Sequence, residues 1–193
     1  MSGNIEMRDD LLKCLSVLRK GGLIVYPTDT IWGIGCDATN AQAVERVYAL
    51  KRRTDSHAML SLVDSANRIS QYVDDMPMLA YQLIEITDRP LTIVYDHAHG
   101  LAANLLGENG SAGMRVTSDP FCRELCCQFG RPIVSTSANI SGQPAPATYA
   151  QISDEILQGV DYVSTWRRDD IKHHQASSVI GLSADGTIKI YRF

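Results

Sequence analysis

Three features of the 193-residue sequence predict an α/β (α+β) fold, a twisted mixed β-sheet flanked by helices. Helical and strand patterns alternate along most of the chain, the arrangement that layers helices on a sheet. The last sixteen or so residues instead hold two short apolar runs around a turn, which predicts an antiparallel hairpin. No repeat, low-complexity stretch or Pro/Gly-rich linker divides the chain, so residues 1–193 are expected to form a single domain.

The elements follow in order. Leu11, Leu12, Leu15 and Leu18 form a helical stripe over 8–20, stopped by Gly21-Gly22. Leu23–Tyr26 is a short apolar strand ended by Pro27. Asn40 is placed as the N-cap of a helix that turns Val44, Val47, Tyr48 and Leu50 inward. Met59–Val63 is a strand, and 66–86 holds one or two helices broken near Pro77. Leu91–Tyr95 and Gly113–Val116 are strands. Asp119-Pro120 starts a helix that ends at Gly130, and Ile133–Ser135 is a strand. Residues 148–158 are expected to be helical. Ser178–Leu182 and Thr187–Tyr191 flank the turn Ser183-Ala-Asp-Gly186. The polar stretch 165–176, with Arg167, Arg168, Asp169, Asp170, His173 and His174, is expected to be mobile.

Composition narrows the function. A net charge of −4 gives no support to a general nucleic-acid binder, although a local basic patch is compatible with it. No apolar run approaches the roughly 20 residues that span a bilayer, and the N-terminus lacks a signal-peptide core. The expectation is therefore a cytoplasmic protein without membrane attachment. Five cysteines without a CxxC pair argue against a zinc site or a disulfide framework. Cys122 and Cys126, one turn apart, read as buried small hydrophobes.

Four segments carry polar chemistry. Pro132-Ile-Val-Ser-Thr-Ser-Ala-Asn-Ile-Ser-Gly-Gln-Pro144 loads the exit of a buried strand with short hydroxyl and amide side chains. Such groups suit close contact with phosphate or carboxylate oxygens. Tyr26-Pro-Thr-Asp-Thr-Ile-Trp-Gly-Ile-Gly-Cys36 follows the first strand. It is either a tight Asx turn or a ligand loop using Thr28 and Thr30, with Asp29 capping the turn or meeting a metal. Lys51-Arg52-Arg53 ends a helix, where three cations either complement its dipole or hold a polyphosphate. Arg115, in Gly113-Met-Arg-Val116, either pairs with a core carboxylate or meets an anionic substrate. No Gly-x-Ser-x-Gly elbow and no Walker A loop is present, so neither a serine hydrolase nor a P-loop enzyme is indicated. His173-His174 reads as solvated, and no metal site is assigned.

Taken together, these segments resemble one family. Gly21-Gly-Leu-Ile-Val-Tyr-Pro-Thr-Asp-Thr-Ile-Trp-Gly-Ile-Gly35, Leu50-Lys-Arg-Arg53, Pro90-Leu-Thr92, Gly113-Met-Arg-Val116 and Ser135-Thr-Ser-Ala-Asn-Ile-Ser-Gly142 look like the YrdC/Sua family in order and spacing. The resemblance implies a YrdC-like sheet around a deep, locally positive cavity. It implies an enzyme that condenses L-threonine, bicarbonate or CO2, and ATP into threonylcarbamoyl-AMP and pyrophosphate, for the t6A37 modification of tRNA. By the family pattern Lys51, Arg53, Ser137 and Asn139 hold the ATP phosphates with the help of Mg2+, Lys51 and Arg53 being catalytic. Thr92 and Arg192 lie on the nucleotide side. Thr28, Arg115, Ser135 and Ser177 hold threonine, with Arg115 on its carboxylate. Further implied partners are tRNA and transfer proteins of the TsaB, TsaD and TsaE kind.

Three positions depart from that pattern: Thr54 and Thr117 replace prolines, and Asp88-Arg89-Pro90 replaces Pro-Gly-Pro. Of these, Arg89 and Thr54 keep a YciO-like paralogue open as an alternative, and a non-catalytic double-stranded RNA or tRNA-binding module that uses the same basic cavity is another.

Overall fold

Alternation within single strands shows how the sheet is covered. In the computed structural model, which describes residues 2–53, 59–170 and 176–192, Ile24 packs with the helices Ser2–Arg19 (α1) and Pro120–Phe129 (α5). Its neighbour Val25 packs on the opposite face with Ala41–Lys51 (α2). Ile133 and Val134 divide in the same way. Successive strand residues point to opposite faces, so this part of the sheet is apolar on both and lies between helices.

Among the described residues the strands are Ile24–Tyr26 (β1), Gly33–Gly35 (β2), Leu60–Val63 (β3), Leu91–Tyr95 (β4), Ala112–Val116 (β5), Ile133–Ser137 (β6), Tyr162–Val163 (β7), Ser178–Leu182 (β8) and Ile188–Arg192 (β9). They form one sheet in the order β7-β1-β2-β6-β3-β5-β4-β8-β9. Pairs β1/β7, β3/β5 and β4/β8 are parallel and the others antiparallel, so the sheet is mixed as expected. Strand β6 joins its two halves: Ile133 to Ser135 pair with β3, and Thr136 and Ser137 pair with β2.

The helices Ala66–Ile69 (α3) and Met78–Ile86 (α4) cover one face of the second half, over Ile93, Tyr95, Met114 and Ile180. The chain breaks between them before Pro77, where the sequence places the break. Asn40 caps α2 by accepting from the Gln42 and Ala43 amides, and Asp119 caps α5 by accepting from Cys122. Cys122 and Cys126 are buried on α5.

Several expectations need correction. Helix α1 begins at Ser2, and Leu12 of the expected stripe is 50% exposed while Leu11, Leu15 and Leu18 are buried. A helix rotates 100° per residue, and the buried arc of Asp10, Leu11, Cys14, Leu15 and Leu18 leaves Leu12 outside it. The Gly33-x-Gly35 segment is a strand rather than only a turn. Residues 148–158 split into a 3-10 turn at Tyr149–Gln151 and the short helix Asp154–Gln158 (α6). Thr54, His173 and His174 lie outside the described residues. No described helix is long and apolar enough to cross a membrane.

Candidate active site

Strand register brings separated polar residues onto one face. Directly paired residues share a face, and so do residues two apart in a strand. Ser135 of β6 pairs with Leu60 of β3, and Leu62 pairs with Arg115 of β5. Gly113 pairs with Val94 of β4, two residues from Thr92. Ser137, Ser135, Arg115 and Thr92 therefore line up across four strands on one side. The opposite side of β4 and β5 is the apolar layer of Ile93, Tyr95, Ala112 and Met114.

Arg115 is 2% exposed and meets the loop after β1. Its Nη2 donates to Asp29 Oδ1 at 2.8 Å and to Thr30 Oγ1 at 3.3 Å. Thr117 donates to the other Asp29 oxygen at 3.4 Å. Of the two readings open from the sequence, pairing with a carboxylate is what the structure has. The Nε of Arg115 is buried without a partner. The same loop is knit internally: Thr28 Oγ1 donates to the Ile31 carbonyl at 2.7 Å and accepts from the Thr30 amide at 3.1 Å. Glycine at 33 permits close packing here. A Cβ at that position would lie 3.3 Å from Ser135 Oγ and 3.6 Å from Thr28 Cγ2, so Thr28 and Ser135 converge there.

At the other end of the row stands Lys51, the last residue of α2. Arg52 takes a left-handed conformation (φ 51°) and reverses the chain after it. Lys51 is 2% exposed, and its Nζ donates to the carbonyls of Ser137 (2.5 Å) and Asn139 (2.7 Å). The Lys51 carbonyl accepts from the Ser141 amide at 2.9 Å. Three bonds thus clamp the 137–141 turn onto the end of α2. Burial, and second the nearby Arg53 guanidinium, lower the Lys51 pKa from 10.5 to about 8. Asn139 Nδ2 donates to the carbonyls of Ile140 (3.0 Å) and Gln143 (2.7 Å), and its Oδ1 is buried without a partner.

Thr92, Ser177 and Arg192 form a third group. Thr92 and Ser177 hydroxyls are 2.8 Å apart, and the Arg192 Nε and Nη2 donate to the Ser177 carbonyl at 3.1 and 2.8 Å. The family pattern sends Thr92 and Ser177 to different ligands, whereas here the two side chains touch. Asp29, read from the sequence as a turn cap or metal-meeting side chain, is instead the partner of Arg115, with Thr117 beside it. Its signal was present, because a lone buried Arg requires a carboxylate and Asp29 stands among the ligand-loop hydroxyls. A cleft of about 350 Å³ borders Asp29 and Thr117 and is lined further by Asp88, Arg89 and Arg123. Two of the three departures from the family pattern thus face the same space.

The described part of 165–176 is tied down. Buried Asp10 of α1 accepts from Tyr162 and Ser164 hydroxyls at 2.6 and 2.5 Å and from the Thr165 amide at 2.8 Å. Arg167 donates to Asp119 at 2.5 Å.

Known proteins resemble this chain in sequence and in fold. The Sua5/YciO/YrdC family profile, described as "Telomere recombination", matches residues 16–193. The threonylcarbamoyl-AMP synthase of Photobacterium profundum is 34% identical over 151 residues, covering 77% of this chain and 82% of that protein. Among solved structures, YciO of E. coli superposes with a TM-score of 0.82 at 26% identity, over 96% of this chain and 89% of that one. P. abyssi Sua5 complexed with L-threonine gives 0.78 at 22% identity over 89% of this chain. This chain spans half of that longer protein. By its sequence and its fold, the chain belongs to the Sua5/YciO/YrdC family.

Proposed function

We propose that this chain, as one domain over residues 1–193, is an L-threonylcarbamoyladenylate synthase. It is a nucleotidyltransferase that condenses L-threonine, bicarbonate or CO2, and ATP into threonylcarbamoyl-AMP and pyrophosphate. The adenylate then serves threonylcarbamoylation of tRNA adenosine 37, through tRNA and TsaB-, TsaD- and TsaE-like partners. The names of the curated relatives support the reading.

The observation that carries it is the state of Arg115. Its guanidinium is fixed by Asp29 and Thr30 at one nitrogen, while a second nitrogen is buried and unpaired on the face that also holds Ser135. A buried donor without a partner is costly and is suited to a ligand carboxylate. Arg115, Thr28, Ser135 and Ser177 are assigned to threonine. Lys51, Arg53, Ser137 and Asn139 are assigned to the phosphates, and Thr92 and Arg192 to the nucleotide side.

The chemistry needs little more. Threonine carbamate is itself the nucleophile; its oxygen attacks the α-phosphorus and pyrophosphate leaves. Such a step depends on alignment and charge neutralisation rather than on an activated side chain. Among the described residues no group of three or more His, Cys, Asp or Glu side chains is arranged to hold a metal ion. Mg2+ fits this chain as an ion carried on ATP, where it neutralises phosphate charge when bound.

The test is mass spectrometry of a mixture of the protein with ATP, Mg2+, L-threonine and bicarbonate. Threonylcarbamoyl-AMP is expected when all are present and absent when threonine is omitted. No adenylate at any threonine concentration, together with tight tRNA binding, would favour the RNA-binding reading instead.

A further inference from the structure

The two unpartnered buried atoms in the candidate site have opposite character. Arg115 Nε is a donor and Asn139 Oδ1 is an acceptor. The orientation of the Asn139 amide follows from its neighbours. The atom facing the Ile140 and Gln143 carbonyls, at 3.0 and 2.7 Å, has two acceptors against it and must be the NH2 group. Both amide hydrogens are thereby committed to the backbone. The Asn139 main-chain N–H is committed too, to the Ser137 carbonyl at 2.9 Å. Asn139 retains no donor for a phosphate oxygen; what it retains is an oxygen lone pair.

A phosphate oxygen is itself an acceptor and cannot satisfy that atom. A hard cation can. Mg2+ takes oxygen ligands and is commonly held by one or two protein groups together with substrate phosphates. We infer that Asn139 acts on the nucleotide through the cation: its Oδ1 is a ligand of the divalent ion carried by ATP, and its NH2 group builds the turn. The inference rests on the proposed ATP chemistry and changes the part Asn139 plays in it. Lys51 supports the arrangement from behind, because its bonds to the Ser137 and Asn139 carbonyls fix the backbone from which Oδ1 projects.

The test is ATP binding by titration calorimetry, with Mg2+ and with EDTA. The wild-type chain is expected to bind Mg-ATP about tenfold or more tighter than metal-free ATP, the size of effect typical of metal-site groups. In Asn139→Ala that ratio collapses toward one, chiefly by loss of Mg-ATP affinity. In Arg53→Ala both affinities fall and the ratio persists. Equal weakening of both forms in Asn139→Ala, unchanged binding in that variant, or a wild-type chain indifferent to metal would each overturn the inference.

A measurement on the wild-type chain covers the case in which Asn139→Ala fails to fold. The Asn139 side-chain NH2 resonances should shift with Mg-ATP and stay in place with ATP in EDTA. Equal shifts in both would assign the amide to phosphate and overturn the inference. A wild-type chain that binds no ATP in either buffer would sink the proposed function itself, a result distinct from all of these.

Discussion

Arg115 Nη2 donates to Asp29 Oδ1 at 2.8 Å, between side chains that are 2% and 6% exposed. The pair joins β5 to the loop after β1, two segments far apart in sequence. It holds the Arg115 guanidinium on the site face and leaves its Nε unpaired. Because both charges are buried, removing one strands the other.

Asp29→Asn and Arg115→Met are each expected to destabilise the chain by about 3–5 kcal/mol, the usual cost of breaking a buried pair. The double variant should lose less than the sum of the two. Urea unfolding of all four forms measures the coupling; additive losses would show that the two side chains do not stabilise each other.

Lys51 gives a pH signature. Its pKa of about 8 lies below the 10.5 of an unfolded lysine, because burial first and Arg53 second disfavour the charged form. Below pH 8 both states bind the proton, and Lys51 adds no pH dependence. Between about 8 and 10.5 the unfolded chain binds more protons, so this residue's contribution to stability rises with pH. The neutral amine still has two hydrogens for the Ser137 and Asn139 carbonyls. The stability of wild type relative to Lys51→Met should therefore increase from pH 8 to 10. A flat difference in urea unfolding across that range contradicts the assignment.

Asp10 works in the opposite direction. Burial raises its pKa, but hydrogen bonds from Ser164, Tyr162 and Thr165 outweigh that and leave it lowered. Its stabilisation is full above the unfolded carboxylate pKa and is lost as pH falls through the folded one. Asp10→Asn should destabilise by about 1–3 kcal/mol at neutral pH. It should also flatten the acid limb of unfolding, followed by tryptophan fluorescence, since the Trp166 amide also lies on Asp10 at 3.4 Å. An unchanged acid limb would show that Asp10 does not tie down this segment.

Two glycines separate fold from site. A Cβ on Gly35 would stand 2.6 Å from Tyr26 Cε1 and 3.0 Å from the Val134 carbonyl oxygen, so Gly35→Ala should cost about 1–3 kcal/mol. A Cβ on Gly33 meets Ser135 Oγ and the Thr136 carbonyl oxygen at 3.3 Å, a close but less severe approach. Gly33→Ala should fold and raise the KM for threonine more than that for ATP. A Gly35→Ala chain as stable as wild type, or a Gly33→Ala chain impaired only in ATP, would refute this division.

Much of this architecture was legible in the sequence because it is local. Caps at Asn40 and Asp119, the break before Pro77 and the C-terminal hairpin are written in neighbouring residues. Strand β2 was not, since Gly33-Ile-Gly35 is too short to show a period of two and is ordered by β1 and β6 on either side. Strand β7, two residues long, depends on β1 in the same way. Among the site residues, the sequence marked Arg115, Lys51 and Asn139 by type. It called for a carboxylate near Arg115 without singling out Asp29, and it could not show that Lys51 and the Asn139 amide are spent on the backbone. Those facts depend on which atoms the fold brings within 3 Å.

In the proposed enzyme one sheet face is divided between an amino acid at Arg115 and a nucleotide at the 137–139 turn. The most direct measurement is the initial rate of pyrophosphate release, with threonine and ATP varied separately, in Arg115→Ala and Arg53→Ala. A crossed pattern is predicted: Arg115→Ala raises the KM for threonine well above its effect on ATP, and Arg53→Ala does the reverse. Equal losses for both substrates in both variants, or pyrophosphate release that ignores threonine in the wild-type chain, would contradict it.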